Sequence, residues 1–330
     1  MLARPALTEV YTIAGRRISI DTIDAWSAQA VSDIFSGWFL KPVPTRDDQN
    51  AGITLRVRPG VAPPHIPHEL PHFQINEGGT CHTDGQKLHL RFNDSLVNIG
   101  PDATQPIEIW IARRYEPGSK ILTQIVSQAF SAALRRLDLY EFHSAAVLPP
   151  HHDKAILIAG ASGSGKTTLT TQLVAHGWNY LTDDTLLLDS TVDGLEVHVL
   201  RKFFALTSET IAALQLSSLK TVRFGTKARV TPQALFPAKQ IDRAKPGAIF
   251  FPTLTRKAVT ELRKLTASES MTRLLRLCPW ASYDKPTAGK HLGVLHRLAE
   301  TCVAFDFLAG TDVLENRSLT ADLCLSYIGT

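Results

Sequence analysis

The chain has 330 residues, of which 44% are hydrophobic and 20% are charged, and its 35 Lys and Arg against 31 Asp and Glu leave a net charge of +4. This composition excludes an extended disordered chain, which lacks the apolar surface to form a core. No apolar run approaches the roughly 18 residues that cross a bilayer, and no dense basic block indicates nucleic-acid binding. We therefore expect a soluble, cytoplasmic protein of about two domains, with no membrane or nucleic-acid partner.

The first third of the chain alternates apolar and polar residues, which is typical of strands with one buried face. The segments Ile53–Val57, Leu88–Phe92 and Ile107–Ile111 show this period, and Asp84-Gly85 predicts a tight hairpin turn. Residues 21–40 are ambiguous, with a helix as one interpretation. The sequence predicts a β-rich N-terminal domain of antiparallel strands over residues 1–117.

The period changes after residue 118, where apolar residues recur every three or four positions through Leu137 and predict an amphipathic helix of about 20 residues. An apolar strand, Ala155–Ile158, then leads into a glycine-rich turn and a second helix that ends near Gly177. Further strands are predicted at 180–189, 196–200, 247–251 and 303–308, with helices at 268–278 and 288–301. Residues 118–330 are therefore predicted to form an α/β domain.

The glycine-rich turn matches the phosphate-binding pattern G-x-x-x-x-G-K-[ST]. Its glycines let backbone N–H groups point at phosphate oxygens, and the following helix adds the positive end of its dipole. Lys166 is expected to reach the β- and γ-phosphates of ATP, and the Thr167 hydroxyl is expected to ligate Mg²⁺. The predicted nucleotide-binding residues are Gly160, Ser162, Gly163, Ser164, Gly165, Lys166, Thr167 and Thr168.

Two adjacent carboxylates, Asp183 and Asp184, follow Lys166 by seventeen and eighteen positions. At a strand end both could serve one site, with one accepting a proton from an attacking hydroxyl and the other orienting Mg²⁺. A solvated Asp-Asp turn is the alternative. Asp189 is an alternative Mg²⁺-binding residue, because it follows an apolar run as a metal-binding Asp often does. The residues after it are typical of a turn, so Asp189 is expected to begin a loop.

These features resemble the HPr kinase/phosphorylase family and its related kinases. The resemblance lies in His143, the phosphate loop and the stretch from Gly177 to Asp184, and it covers roughly residues 120–255. It implies a P-loop kinase core in which Asp183 is the general base, Asp184 assists with metal or base positioning, and His143 lies near the reacting groups. Residues 243–247 of this chain, which precede a predicted strand, are similar to an Arg-rich loop that precedes a strand in the family.

That last similarity implies that Arg243 or Lys245 neutralises charge on the transferring phosphoryl group, with a solvated basic loop as the alternative. Lys227 and Arg229 form a second cationic candidate pair. HPr kinase/phosphorylase itself has Ser-Glu at the positions of Thr167-Thr168. The resemblance is therefore to the broader branch of related kinases, which includes peptide-tailoring kinases. Whether HPr is the acceptor, and whether the reverse phosphorylase reaction exists, stay open.

The hypothesis is an ATP- and Mg²⁺-dependent kinase that phosphorylates a Ser or Thr hydroxyl of a peptide or small protein. The alternatives are a small-molecule alcohol kinase and a non-catalytic protein whose partner binding is gated by nucleotide. The resemblance leaves homo-oligomer formation open. Four scattered cysteines are expected to be reduced and buried. A histidine-rich stretch is interpreted as a loop rather than a metal site because its prolines exclude a helix; its histidines are His65, His68, His72, His82 and His89.

Overall fold

The computed structural model describes residues 7–38, 40–44, 52–75, 78–116, 118–200, 204–213, 222–224, 227–230, 240–255 and 257–328. The chain divides into two compact units, one of Met1–Leu139 with Trp280–His291 and one of Tyr140–Pro279 with Leu292–Thr330. The predicted boundary between residues 117 and 118 differs from this division. The helix Lys120–Arg136, which follows the predicted boundary, buries one face against strands of the first unit. The segment Trp280–His291 also belongs to the first unit.

The first unit is built on an eight-stranded sheet in the order β1-β2-β3-β8-β7-β6-β5-β4. Its elements are β1 (Leu7–Ile13), β2 (Arg16–Thr22), α1 (Ala25–Ser36), β3 (Ile53–Pro59), β4 (His72–Ile75), β5 (Gly79–Thr83), β6 (Leu88–Phe92), β7 (Ser95–Ile99), β8 (Ile107–Ile111) and α2 (Lys120–Arg136). The Asp84-Gly85 hairpin is confirmed: β5 and β6 pair antiparallel, and the Asp84 carboxylate accepts the backbone N–H groups of Gln86 and Lys87.

The expectation of a wholly antiparallel sheet is wrong. Strand β3 pairs parallel with β2 on one side and with β8 on the other. Parallel neighbours need a crossover connection, and α1 lies in the one between β2 and β3. The hairpin-connected strands β4 to β7 separate β3 from β8 along the chain, which makes their parallel pairing a long-range contact that alternation alone does not reveal.

The second unit contains a nine-stranded sheet and a three-stranded sheet. In chain order the remaining elements are β9 (Leu139–Phe142), β10 (Ser144–Leu148), β11 (Lys154–Ala159), α3 (Lys166–Ala175), β12 (Asn179–Thr182), β13 (Leu186–Thr191), β14 (Gly194–Val199), β15 (Phe204–Leu206), α4 (Ser208–Ala213), β16 (Val222–Phe224), β17 (Lys227–Val230), β18 (Arg243–Leu254), β19 (Glu261–Leu265), α5 (Ala267–Leu277), α6 (Trp280–Tyr283), α7 (Lys285–Thr301), β20 (Val303–Ala309), α8 (Asp312–Glu315) and α9 (Arg317–Ile328). Of these, α6 and the first part of α7 belong to the first unit. The protein is therefore a mixed α/β chain with two large sheets.

Strand direction in the larger sheet determines which residues share an edge. Strands β11 and β12 both pair antiparallel with β10, so they run parallel to each other, and β18 runs parallel to β11. The last residues of these strands, Ala159, Thr182 and Leu254, therefore lie at the same edge as Ser144, the first residue of β10. Every segment that leaves this edge can contribute to one site.

Helix α3 packs on this sheet through Leu169, Leu173 and Val174, all buried in one apolar cluster with Trp178 and Phe250. The helix ends at Ala175, and Gly177 follows with a φ of 95°, which confirms the predicted stop. All four cysteines are buried and unpaired, as expected. Within the described part of the chain, no helix has the length and apolar character needed to cross a membrane.

Candidate functional site

The glycine-rich loop connects the end of β11 to the first turn of α3 and depends on its glycines. Gly163 and Gly165 have φ values of 83° and 99°, in the left-handed region that side chains rarely adopt. A Cβ on Gly160 would lie 2.7 Å from the Ser164 hydroxyl, and one on Gly165 would lie 3.2 Å from Leu254. A side chain at Gly163 or Gly165 would therefore strain the curl of the loop, and one at Gly160 would have to displace the Ser164 hydroxyl.

Polar groups of the loop suit an anionic ligand. The Lys166 ammonium donates hydrogen bonds to the carbonyl oxygens of Gly160 (2.7 Å) and Ala161 (3.0 Å). The Ser164 hydroxyl is buried and has no hydrogen-bond partner among the described residues, which is unfavourable unless a ligand or water supplies one. With the amino end of α3 directly after the loop, these groups fit a phosphate chain.

Asp183 and Asp184 lie in the short turn between β12 and β13. Asp183 is only 3% exposed, so a solvated turn does not describe it. Its carboxylate accepts a hydrogen bond from the Tyr180 hydroxyl at 3.5 Å. Asp184 is more open: its side chain accepts a hydrogen bond from the Thr185 hydroxyl at 3.1 Å, and it lies 3.5 Å from Nδ1 of His143.

Loop and carboxylates face a common cleft of about 440 Å³. Its lining residues are His143, Ser162, Gly163, Gly165, Lys166, Thr167, Thr168, Asp183, Asp184, Thr207 and Leu254. The shared sheet edge explains this convergence, because β10 begins at the cleft while β11, β12 and β18 end there. The structure thus brings together His143, both carboxylates and most of the predicted nucleotide-binding residues.

Arg243 is not part of this cleft. The expected loop at 243–247 is the start of β18, where Arg243 is in register with His198 and its side chain is 71% exposed, 3.9 Å from Glu196. Leu254, which does line the cleft, is eleven residues further along the strand, or about 36 Å at 3.3 Å per residue. Lys245 is in backbone register with Lys154, the first residue of β11, so it too lies at the end of the strands opposite the cleft. The side chains of Lys227 and Arg229 lie outside the described residues.

Asp189 also lies away from the cleft, and the expectation that it begins a loop is wrong. Strand β13 continues through Thr191, because its hairpin with β14 places Asp189 opposite Glu196. The Asp189 side chain is 1% exposed and lies 3.5 Å from Nε2 of His198. Of the carboxylates weighed from the sequence, Asp183 and Asp184 are the ones at the phosphate loop.

The histidine-rich stretch is partly strand rather than loop. His72, His82 and His89 are cross-strand neighbours on β4, β5 and β6, with the first two rings stacked at 5.3 Å. Burial and then the nearby His72 lower the pKa of His82. His89 is hydrogen-bonded to Asn98. In the part of the chain that the structure describes, no three metal-ligating side chains form a group that could hold a metal ion.

Three residues of the site were not predicted from the sequence. Thr207 and Leu254 line the cleft, and Tyr180 lies behind Asp183. No motif marks them. Leu254 could have been found only by extending the 247–251 strand to its carboxyl end and recognising that this end shares an edge with the loop.

No protein-family model matches the chain, and no curated protein matches it. Among solved structures, the Hpr(Ser) kinase/phosphatase from Coxiella burnetii aligns with 57% of this chain and 97% of its own, at 11% identity and a TM-score of 0.31.

Proposed function

We propose that this protein is a P-loop kinase that transfers the γ-phosphoryl group of ATP to a hydroxyl group, with a Ser or Thr of a peptide or small protein as acceptor. The observation that carries this proposal is the buried carboxylate of Asp183 in the same cleft as the phosphate loop. A loop alone fits any nucleotide-binding protein. A buried carboxylate facing the loop adds the base that transfer to a hydroxyl requires.

The phosphate chain would be held by backbone N–H groups between Gly160 and Thr168 and by the Lys166 ammonium. Lys166 now bonds two loop carbonyls, so ATP would exchange those contacts for contacts with phosphate oxygens. Thr167 and Asp184 would hold Mg²⁺, which supplies neutralisation of phosphate charge. His143, 3.5 Å from Asp184, would hold that carboxylate in place.

Asp183 would act on the acceptor. In the transfer step the acceptor oxygen forms a bond to the γ-phosphorus while the bond from that phosphorus to the β–γ bridging oxygen breaks, leaving ADP. The acceptor proton goes to the Asp183 carboxylate. Because the side chain is almost fully buried, few water molecules compete with the acceptor for the Asp183 carboxylate.

A peptide acceptor is favoured by the openness of the cleft at its Asp184 side, where the side chains of Asp184 and His143 are 23% and 43% exposed. A small alcohol remains the second acceptor class. The buried, unpaired cysteines fit a cytoplasmic enzyme, where thiols stay reduced. Neither nucleic acid nor membrane has a role in this proposal, and a homo-oligomer would be compatible with it.

The test is transfer of labelled phosphate from ATP, in the presence of Mg²⁺, to a panel of Ser/Thr peptides and small alcohols. We expect Asp183→Asn to reduce transfer by about 100-fold or more while nucleotide affinity stays within about twofold. Asp189→Asn is the matched control, since it neutralises another buried Asp of the same unit that lies outside the cleft.

Transfer that survives Asp183→Asn and is lost in Asp189→Asn would overturn the assignment of the base. Nucleotide binding without transfer to any acceptor, unchanged by Asp183→Asn, would instead support a protein whose partner binding is gated by nucleotide.

A further inference from the structure

Tyr180 is fully buried on β12, three residues before Asp183, and its position is closely defined. The strand places it opposite Val147 of β10. Its ring packs on that of Phe204 with centroids 4.4 Å apart and an interplanar angle of 34°. The phenol therefore has little freedom to move, and its hydroxyl is directed toward the turn that carries the two carboxylates.

The hydroxyl contacts Asp183 in two ways. It donates a hydrogen bond to Oδ1 of Asp183 at 3.5 Å, and it accepts one from the backbone N–H of the same residue. Burial, followed by the charge of Asp183, raises the pKa of Tyr180 well above its ordinary value, so the phenol stays protonated and remains a donor. The 3.5 Å distance is long, as catalytic hydrogen bonds often are before substrate binds.

We propose that Tyr180 is a positioning residue for Asp183, whose hydroxyl fixes the rotamer of the carboxylate so that it faces the acceptor. The proposal rests on the proposed kinase function. An Asp side chain has several accessible rotamers, and Asp184 next to it in the chain carries a like charge. Removal of the phenol donor would take away one restraint on the direction in which the Asp183 carboxylate points.

A purely structural role for the hydroxyl makes a different prediction. If it only satisfied buried polar groups, its loss would lower stability and leave turnover unchanged. If it positions Asp183, its loss would lower kcat and leave ATP binding unchanged, because small displacements of a catalytic group reduce the rate strongly. The split between kcat and KM therefore separates the two roles.

The experiment compares Tyr180→Phe with Tyr140→Phe in the full chain. Both variants remove one oxygen atom from a tyrosine that is at most 1% exposed in the second unit, and Tyr140 does not line the cleft. For Tyr180→Phe we expect kcat to fall about tenfold, with the KM for ATP within twofold of the wild type. Tyr140→Phe should leave both parameters unchanged.

A kcat of Tyr180→Phe within twofold of the wild type overturns the proposal, and so does an equal loss of kcat in Tyr140→Phe. The kinase proposal is judged separately, by wild-type transfer and its loss in Asp183→Asn. If the wild type transfers phosphate, Asp183→Asn does not, and Tyr180→Phe is normal, only the positioning role fails.

Discussion

A buried ion cluster in the first unit connects the end of α2 to the returning segment Trp280–His291. Nε of Arg135 and Nη1 of Arg136 donate to the same oxygen of Asp284, at 2.8 and 2.7 Å. The side chain of Arg135 is 4% exposed, and those of Arg136 and Asp284 are 0% exposed. Arg136 also donates to the carbonyl of Gly100, and the guanidinium of Arg135 lies 4.6 Å from the centre of the Trp280 ring.

Replacing Asp284 by Asn keeps the size of the side chain and removes its charge. Both guanidiniums would then be buried without the carboxylate that they share. Breaking a buried ion pair by removing one partner destabilises a protein by about 3–5 kcal/mol, because the remaining charge has lost its hydration as well as its counter-ion. Since two cations depend on Asp284, we expect a loss in the upper half of that range.

The assay is urea unfolding followed by far-UV circular dichroism, with Lys290→Ala as control. Lys290 also bonds a residue at the end of α2, Asp138, at 2.7 Å, but these side chains are 70% and 50% exposed. An exposed pair of this kind contributes about 0–1 kcal/mol. A loss of stability in Asp284→Asn no larger than that in Lys290→Ala would contradict the dependence of both buried guanidiniums on Asp284.

Three further outcomes are expected. Lys166→Met should weaken ATP binding at least about tenfold in a fluorescence titration, and unchanged affinity would remove Lys166 from the phosphate site. Gly163→Ala should also weaken ATP binding, since the φ of Gly163 is 83° within the phosphate loop. Gly194→Ala is the control, because Gly194 has a φ of 121° at the start of β14, and it should leave ATP affinity unchanged. Equal effects of the two substitutions would contradict phosphate binding by the loop. Burial lowers the pKa of His291 from 6.5 to about 4. Between these two pH values the unfolded chain binds a proton at His291 that the folded chain does not bind. The free energy of unfolding should therefore fall by up to about 3 kcal/mol as the pH is lowered from 6.5 to 4. His291→Leu should reduce this dependence of the unfolding free energy on pH, measured by urea unfolding. An unchanged pH dependence would contradict its assignment to His291.

Local patterns made much of the second unit predictable. The phosphate loop, the strand before it, the helix after it and the Gly177 stop all depend on residues close together in the chain. The element from 179 to 191 was only half predicted: the sequence indicates extended chain there, but the turn at Asp183–Thr185 divides it into two strands, β12 and β13.

The errors concern contacts that are distant in the sequence. The resemblance of residues 243–247 to the family's Arg-rich loop predicts Arg243 at the phosphoryl group, yet the strand starts four residues earlier than expected and carries Arg243 to its far end. The parallel pairing of β3 and the cluster around Asp284 likewise join segments separated by dozens of residues. The long-range arrangement of strands and helices, which local patterns do not encode, determines which of these side chains meet.

The most direct test of the kinase proposal is a structure of the protein with Mg²⁺ and a non-hydrolysable ATP analogue. We expect the triphosphate to lie along the loop between Gly160 and Thr168, with the γ-phosphorus facing Asp183 and room for a hydroxyl between them, within about 3 Å of the carboxylate. A γ-phosphoryl group that points away from Asp183, with the carboxylate still enclosed by Tyr180 and out of reach of any acceptor, would contradict it.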